Sequence, residues 1–145
     1  MRVVGIDHGA RRLGIAVGDT ETGMAFARAA IRRRNLDADL ARLVELCRSE
    51  GATLVVIGLP LHLDGGEGEQ AAAARRFGAA VEEIGLEVAF EDERLTSWEA
   101  RERLAAAGAR ASRASGEVDS TAACLILQQY LDARRPGPHR LEETE

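Results

Sequence analysis

Lysine is missing altogether: all 19 basic residues of this 145-residue chain are arginines. Beside so many alanines, that absence reads as a bias of composition. The number of arginines therefore carries no functional message, and only their positions can. Aromatic residues are scarce at 3%, and Phe77, Trp98 and Tyr130 are too scattered for the base-stacking platform of single-strand binders. They are expected in or near the core. The only cysteines, Cys47 and Cys124, lie far apart and without metal-ligand spacing. That excludes a zinc site and makes each a small buried hydrophobe of a reducing compartment, the cytoplasm by default. No apolar run approaches the 18 or so residues of a membrane span, and the N-terminus lacks a signal-peptide h-region. A net charge of −5 at pH 7 argues against a general polyanion binder.

What is present is the balance of a globular protein, 46% hydrophobic and 30% charged, in a chain long enough to bury a core without staples. One domain is expected over residues 1–135, followed by a frayed, Pro-containing acidic tail over 136–145. "RVVGID" (2–7) and "RLGIAVG" (12–18) read as strands joined by a tight turn, and "GMAFARAAIRR" (23–33) as a third, making an antiparallel meander. The period then changes. Leu36, Leu40, Leu43, Val44 and Cys47 follow helical spacing until Gly51. "TLVVIG" (53–58) is a continuous apolar strand of the kind buried on both faces. After a loop over 59–68, a helix carries Ala74, Phe77, Val81 and Ile84 on one stripe. "LEVAFED" (86–92) is a fifth strand. "TSWE" (96–99) opens a helix ending at Gly108, 109–117 is a polar loop, and 118–135 is the last helix.

The order predicts an α/β fold: a mixed five-stranded sheet, three antiparallel strands and then two parallel ones, with helices on both faces. This is the order of the ribonuclease H-like fold. Parallel strands end at one edge of their sheet, and ligands gather outside that edge. Asp7 ends the first strand, where an apolar residue would be the ordinary choice. Asp92 and Glu93 end the fifth, and Asp119 lies one residue into the last helix. Behind it, the small residues Ser120 to Ala123 allow close packing on the sheet. The fifth strand is expected two places from the first, about 10 Å away. Three carboxylates at one edge would repel one another unless a cation sat between them. Mg²⁺ or Mn²⁺ suits such oxygen ligands, and the result is a centre for phosphodiester hydrolysis. Each acid also has a plain structural alternative: a turn for Asp7, a helix cap for Asp119, an ion pair with Arg94 for Glu93.

Four stretches, "GIDHGARRLGIAVGD", "VIGLPLHLDG", "DERLTSWEA" and "VDSTAACLILQQYLD", resemble the YqgF/RuvX proteins in order and over nearly the whole chain. That family is described both as Holliday junction resolvases and as pre-16S rRNA processing nucleases. The resemblance implies a ribonuclease H-like fold and a metal-dependent endonuclease of the two-metal-ion type, acting on structured RNA precursors or branched DNA as monomer or homodimer. Its catalytic and metal-binding acids fall on Asp7, Glu93 and Asp119, with Asp92 and Asp64 as additional candidates. Asp64 also reads as a turn residue before Gly65. Arg11 takes the basic position of the first motif and Arg94 that of "DER". The loop before the last helix, strongly basic in the family, offers only Arg110 and Arg113 here. The run Arg32–Arg34 would compensate, or is merely a solvated strand end. His8 either tunes the site or is structural.

Two other classes compete. An actin- or hexokinase-like ATPase also places D-x-G after a first strand, but needs a second phosphate loop and duplicated domains that this chain lacks. A non-catalytic nucleic-acid-binding or ribosome-assembly module on the same fold is the alternative that composition leaves open.

Overall fold

The computed structural model describes residues 1–93 and 120–134. Strands β1 (Arg2–His8), β2 (Arg12–Asp19) and β3 (Met24–Arg32) are followed by helix α1 (Leu36–Glu50), β4 (Ala52–Leu59), α2 (Glu69–Glu83), β5 (Glu87–Asp92) and α3 (Thr121–Arg134). The sheet order is β3-β2-β1-β4-β5. β1 pairs antiparallel with β2, and β2 with β3. β1 and β4 run parallel, as do β4 and β5. The expected mixed sheet is therefore present, with β5 two places from β1. The helix expected over 96–108, the loop over 109–117 and the tail over 136–145 lie outside the described residues, as does Trp98.

Local chemistry sets the boundaries of α1. The Asn35 side chain accepts from the Ala38 amide at 2.9 Å, capping one of the orphan donors of the first turn. Gly51 closes the helix in the left-handed region, at φ 72°, where only glycine sits without steric penalty. Alternation along the strands then divides the core. Val4, Ile6, Leu13, Ile15, Val55 and Ile57 pack beneath α1 and α2, joined by Cys47 and Phe77. Val3, Ala16, Leu54 and Val56 pack against α3, joined by Cys124 and Tyr130. The two thiols are free and on opposite faces of the sheet, as small hydrophobes.

α3 lies unusually close to β1. A Cβ on Gly5 would stand 2.7 Å from Leu127 Cβ and 3.2 Å from the Ala123 carbonyl oxygen, so only glycine fits there. Buried Gln128 docks the same helix on β3: its Oε1 accepts from the Ala25 amide at 3.0 Å and its Nε2 donates to the Gly23 carbonyl at 2.7 Å.

Three details differ from the sequence reading. Leu36, expected on the buried stripe of α1, is 46% exposed; the buried stripe is Asp39, Leu40, Leu43 and Cys47. Ile84, expected on the buried face of α2, is the residue that caps it and is largely exposed. The last helix begins at Thr121 rather than 118, because the Ser120 carbonyl accepts the first helical bond, from the Cys124 amide at 3.0 Å.

Candidate active site

The half-buried Asp7 sits one residue before the end of β1, opposite Gly14 of β2. Alternation sends its neighbour Ile6 under α1 and α2, so Asp7 faces the side covered by α3. Glu93 follows directly on β5 and reaches back over β4. A Cβ on Gly58 of β4 would stand 2.5 Å from Glu93 Oε1 and would also collide with Ile126 of α3. The missing side chain at Gly58 is thus what lets the Glu93 carboxylate lie across β4, towards β1. Burial first, then the negative charges of Asp7 and Asp92, push the Glu93 carboxyl up to about 7. A carboxylate so placed resists ionisation until a positive charge joins it.

α3 completes this corner. The buried Ser120 hydroxyl accepts from the Ile15 amide at 3.1 Å, and Ile15 is paired with Ile6, the residue before Asp7. The helix therefore starts beside Asp7, presenting the positive end of its dipole to the carboxylates. Gln129, two turns along, donates from Nε2 to the Asp92 carbonyl at 2.8 Å and to Glu91 Oε2 at 2.6 Å, fixing the end of β5.

The other side of β1 is structural. His8 stacks obliquely on Phe77, with ring centroids 5.1 Å apart. Arg33 Nη1 lies 3.0 Å from His8 Nε2 and donates to the Gly9 carbonyl at 3.0 Å. Because arginine only donates, His8 Nε2 accepts and the ring is neutral with its proton on Nδ1. Burial, with the Arg33 and Arg76 charges, lowers the His8 pKa to about 4. Arg33 Nε in turn donates to Asp39 Oδ2 at 3.1 Å, while Asp39 Oδ1 accepts from the Arg34 amide at 3.0 Å. Asp39 is 1% exposed. This chain of bonds fixes the turn that follows Asp7.

Among the described residues no group of three His, Cys, Asp or Glu side chains is placed to hold a metal ion. Asp7 and Glu93 nevertheless fit a hard cation in chemistry. Both offer only oxygen, and the charge of Asp7 adds to burial in holding the Glu93 carboxyl protonated, a repulsion that a cation between them would relieve.

The family model described as "RuvX: Holliday junction resolvase" matches residues 1–133. The chain belongs to the RuvX family. It is similar to a protein of Anaeromyxobacter dehalogenans named "Putative pre-16S rRNA nuclease", at 44% identity over 94% of this chain and all of that one. In fold it is similar to Thermus thermophilus RuvC in complex with Holliday junction substrate, with a TM-score of 0.54, 16% identity, and coverage of 92% of this chain and 96% of that one. The yeast mitochondrial Holliday junction resolvase has a TM-score of 0.56 at 10% identity, covering 97% of this chain and 80% of that one. These likenesses and the sheet order make this a ribonuclease H-like fold.

On this RuvX fold the acids expected from sequence divide as follows. Asp7, Asp92 and Glu93 stand at one edge of the sheet, close enough for their charges to act on one another. Asp119, Arg94, Arg110 and Arg113 lie outside the described residues. Arg11 is exposed in the β1–β2 turn. Asp64 Oδ1 accepts from the Gly66 amide at 2.8 Å within its own exposed turn, which is the turn role. Gln129 and Asp39 were not singled out from sequence, while Ser120 was read only as a small residue for close packing and Arg33 only as part of the run Arg32–Arg34. An acid on the buried stripe of α1 was the available signal for Asp39, whereas the partners of Ser120 and Gln129 are distant in sequence and left none.

Proposed function

We propose that this chain is a divalent-metal-dependent endonuclease acting on structured nucleic acid, with the precursor of 16S rRNA as its substrate. The observation that carries the reading is the Glu93 carboxylate laid over Gly58 towards Asp7, at the edge where the first turn of α3 also begins. The substrate follows the relatives that share most sequence with this chain. Branched DNA is the competing substrate, favoured by the family's description.

In this reading Asp7, Glu93 and Asp119 hold the metal, Mg²⁺ or Mn²⁺, with Asp92 beside them. When bound, a pair of such ions supplies a hydroxide nucleophile and neutralises the charge growing on the leaving oxygen. The chain itself contributes position and field. Gly58 leaves room for Glu93, Gln129 fixes the strand end that carries it, and Arg33 fixes the turn after Asp7. Arg11, Arg94, Arg110 and Arg113 contact phosphates and orient the backbone without reading bases. The dipole of α3 adds positive potential where the scissile phosphate would lie.

The test is side-by-side cleavage of a labelled rRNA precursor and a synthetic four-way DNA junction with Mg²⁺, Mn²⁺ or EDTA. Cleavage of the precursor that EDTA abolishes is the expected result. A chain that binds both substrates and cuts neither under any of these conditions would be a binding module instead.

A further inference from the structure

His8 follows Asp7 on β1, so alternation turns it to the opposite face of the sheet, the one beneath α1 and α2. There it lines a cleft of about 360 Å³ with Arg33, Leu36, Ala73, Arg76 and Phe77. That volume suits one small ligand. The cleft lies at the same carboxyl edge as Asp7, because β1 ends there and α1 and α2 begin there, after β3 and β4.

The free hydrogen-bond donors define what fits. Arg33 spends Nε on Asp39 and Nη1 on His8 Nε2 and the Gly9 carbonyl, which leaves the two N–H groups of Nη2 without a partner. His8 keeps its proton on Nδ1, and that N–H has no acceptor among the described residues. Neither nitrogen is sealed from water. Arg76 bonds to Glu69 at 3.1 Å, but side-chain exposures of 66% and 86% make that pair weak and easily exchanged. Among the described residues no carboxylate lines the cleft. The Asp39 oxygens are already taken by Arg33 and the Arg34 amide. Nitrogen donors thus surround an apolar floor of Leu36, Ala73 and Phe77, with Leu36 open to solvent. The complement is an acceptor-rich anion joined to an apolar body, which describes a phosphate ester.

We propose that this cleft holds one nucleotide of the substrate, its phosphate against Arg33, Arg76 and His8 and its sugar against Leu36. The proposal rests on the nuclease reading above and adds where the strand goes beyond the cut. Arg11 favours the substrate over a free nucleotide. It is exposed in the turn that leads away from Asp7 and His8, with no side-chain partner among the described residues. A backbone passing over that turn, from the face of Asp7 to the face of His8, meets Arg11 on the way.

The experiment uses the full chain with Asp7→Asn, so that substrate is bound without being cut, and measures affinity for a fluorescent structured RNA at several salt concentrations. Ala73→Glu sets a carboxylate among the donors while keeping a good helix former; Arg76→Ala, made separately, removes an exposed donor. Each should weaken binding several-fold while melting within a few degrees of the parent. Arg76→Ala should also lower the slope of log affinity against log salt by about 0.7–0.9. Neutral methylphosphonates placed one at a time along the RNA should reveal a position away from the cut that costs affinity in the Asp7→Asn chain. That position should cost nothing further once Ala73→Glu is present. Affinity, slope and methylphosphonate pattern unchanged by both substitutions would overturn the subsite while leaving the nuclease reading standing. Adenosine monophosphate is the second probe. Its binding abolished by Ala73→Glu, with RNA affinity unchanged, would make the cleft a site for a free nucleotide and overturn the assignment to substrate. Absence of any salt-dependent RNA binding by the Asp7→Asn chain would overturn the subsite and the nuclease reading together.

Discussion

The Glu93 carboxylate occupies the space that a side chain on Gly58 would need, 2.5 Å from the position of the missing Cβ. One glycine on β4 thereby connects the acid after β5 with the acid on β1. Gly58→Ala should displace Glu93 and Ile126 together, destabilising the fold by about 1–3 kcal/mol. Cleavage should fall by more than that loss of folded protein explains. Denaturant unfolding and cleavage rates on the same preparation check this, and an alanine variant with the parent rate would show that the position of Glu93 is immaterial.

The raised pKa of Glu93 has a definite sign in stability. Its folded value of about 7 lies above its ordinary value of 4.5, so ionisation is resisted in the folded chain. The associated stability is complete below pH 4.5 and is lost as pH rises through 7. Glu93→Gln should therefore melt at nearly the parent temperature at pH 4.5 and a few degrees above it at pH 8, without divalent metal. Mn²⁺ should reverse the difference, stabilising the parent at pH 8 but little at pH 4.5. Parallel melting curves at all pH values would exclude the proposed repulsion.

His8 works in the other direction. Its pKa of about 4 lies below the ordinary 6.5, so the stability that depends on a neutral ring is complete above pH 6.5 and lost as pH falls through 4. Replacing His8 with Gln should flatten this acid limb, which melting measured from pH 7 to 4 would reveal.

Asp39 and Arg33 form an ion pair with side-chain exposures of 1% and 21%. Asp39→Ala takes one partner from the Arg33 guanidinium, which keeps the Gly9 carbonyl and His8, and removes the acceptor of the Arg34 amide, so it should cost about 1–3 kcal/mol. Urea unfolding is the measurement. A loss under about 1 kcal/mol would mean that solvent readily replaces Asp39.

Ser120→Ala should leave the buried Ile15 amide without its partner and cost about 1–3 kcal/mol. Because Asp119 is the preceding residue, activity should fall beyond the loss of stability, by about 10-fold as for other supports of metal ligands. Equal activity per folded molecule would separate the start of α3 from catalysis.

Much of this was legible in the sequence because strands and helices here obey their own periods. The switch from period two to 3.6 at Leu36 marks α1, and the unbroken apolar run of β4 marks a strand buried on both faces. Asp7 stood out because a carboxylate ended an apolar strand. The supports of the site were less visible. Ser120 satisfies an amide 105 residues away, and Gln129 reaches back 37 residues to Asp92, so neither bond has a local pattern. The run Arg32–Arg34 looked uniform, yet alternation on β3 sends Arg32 and Arg33 to opposite faces. Leu36 matched the helical stripe but lies in the first turn of α1, where it lines a cleft with His8 and Phe77 rather than entering the core.

The pairing of Asp7 with Glu93 around a cation is tested most directly by Mn²⁺ binding to the full chain at pH 8, followed by electron paramagnetic resonance. Each substitution keeps a carbonyl oxygen but removes one carboxylate charge from the shared site, so Asp7→Asn and Glu93→Gln should each weaken Mn²⁺ binding at least about 10-fold while melting as cooperatively as the parent. Mn²⁺ bound by both variants with the parent's affinity would contradict the account.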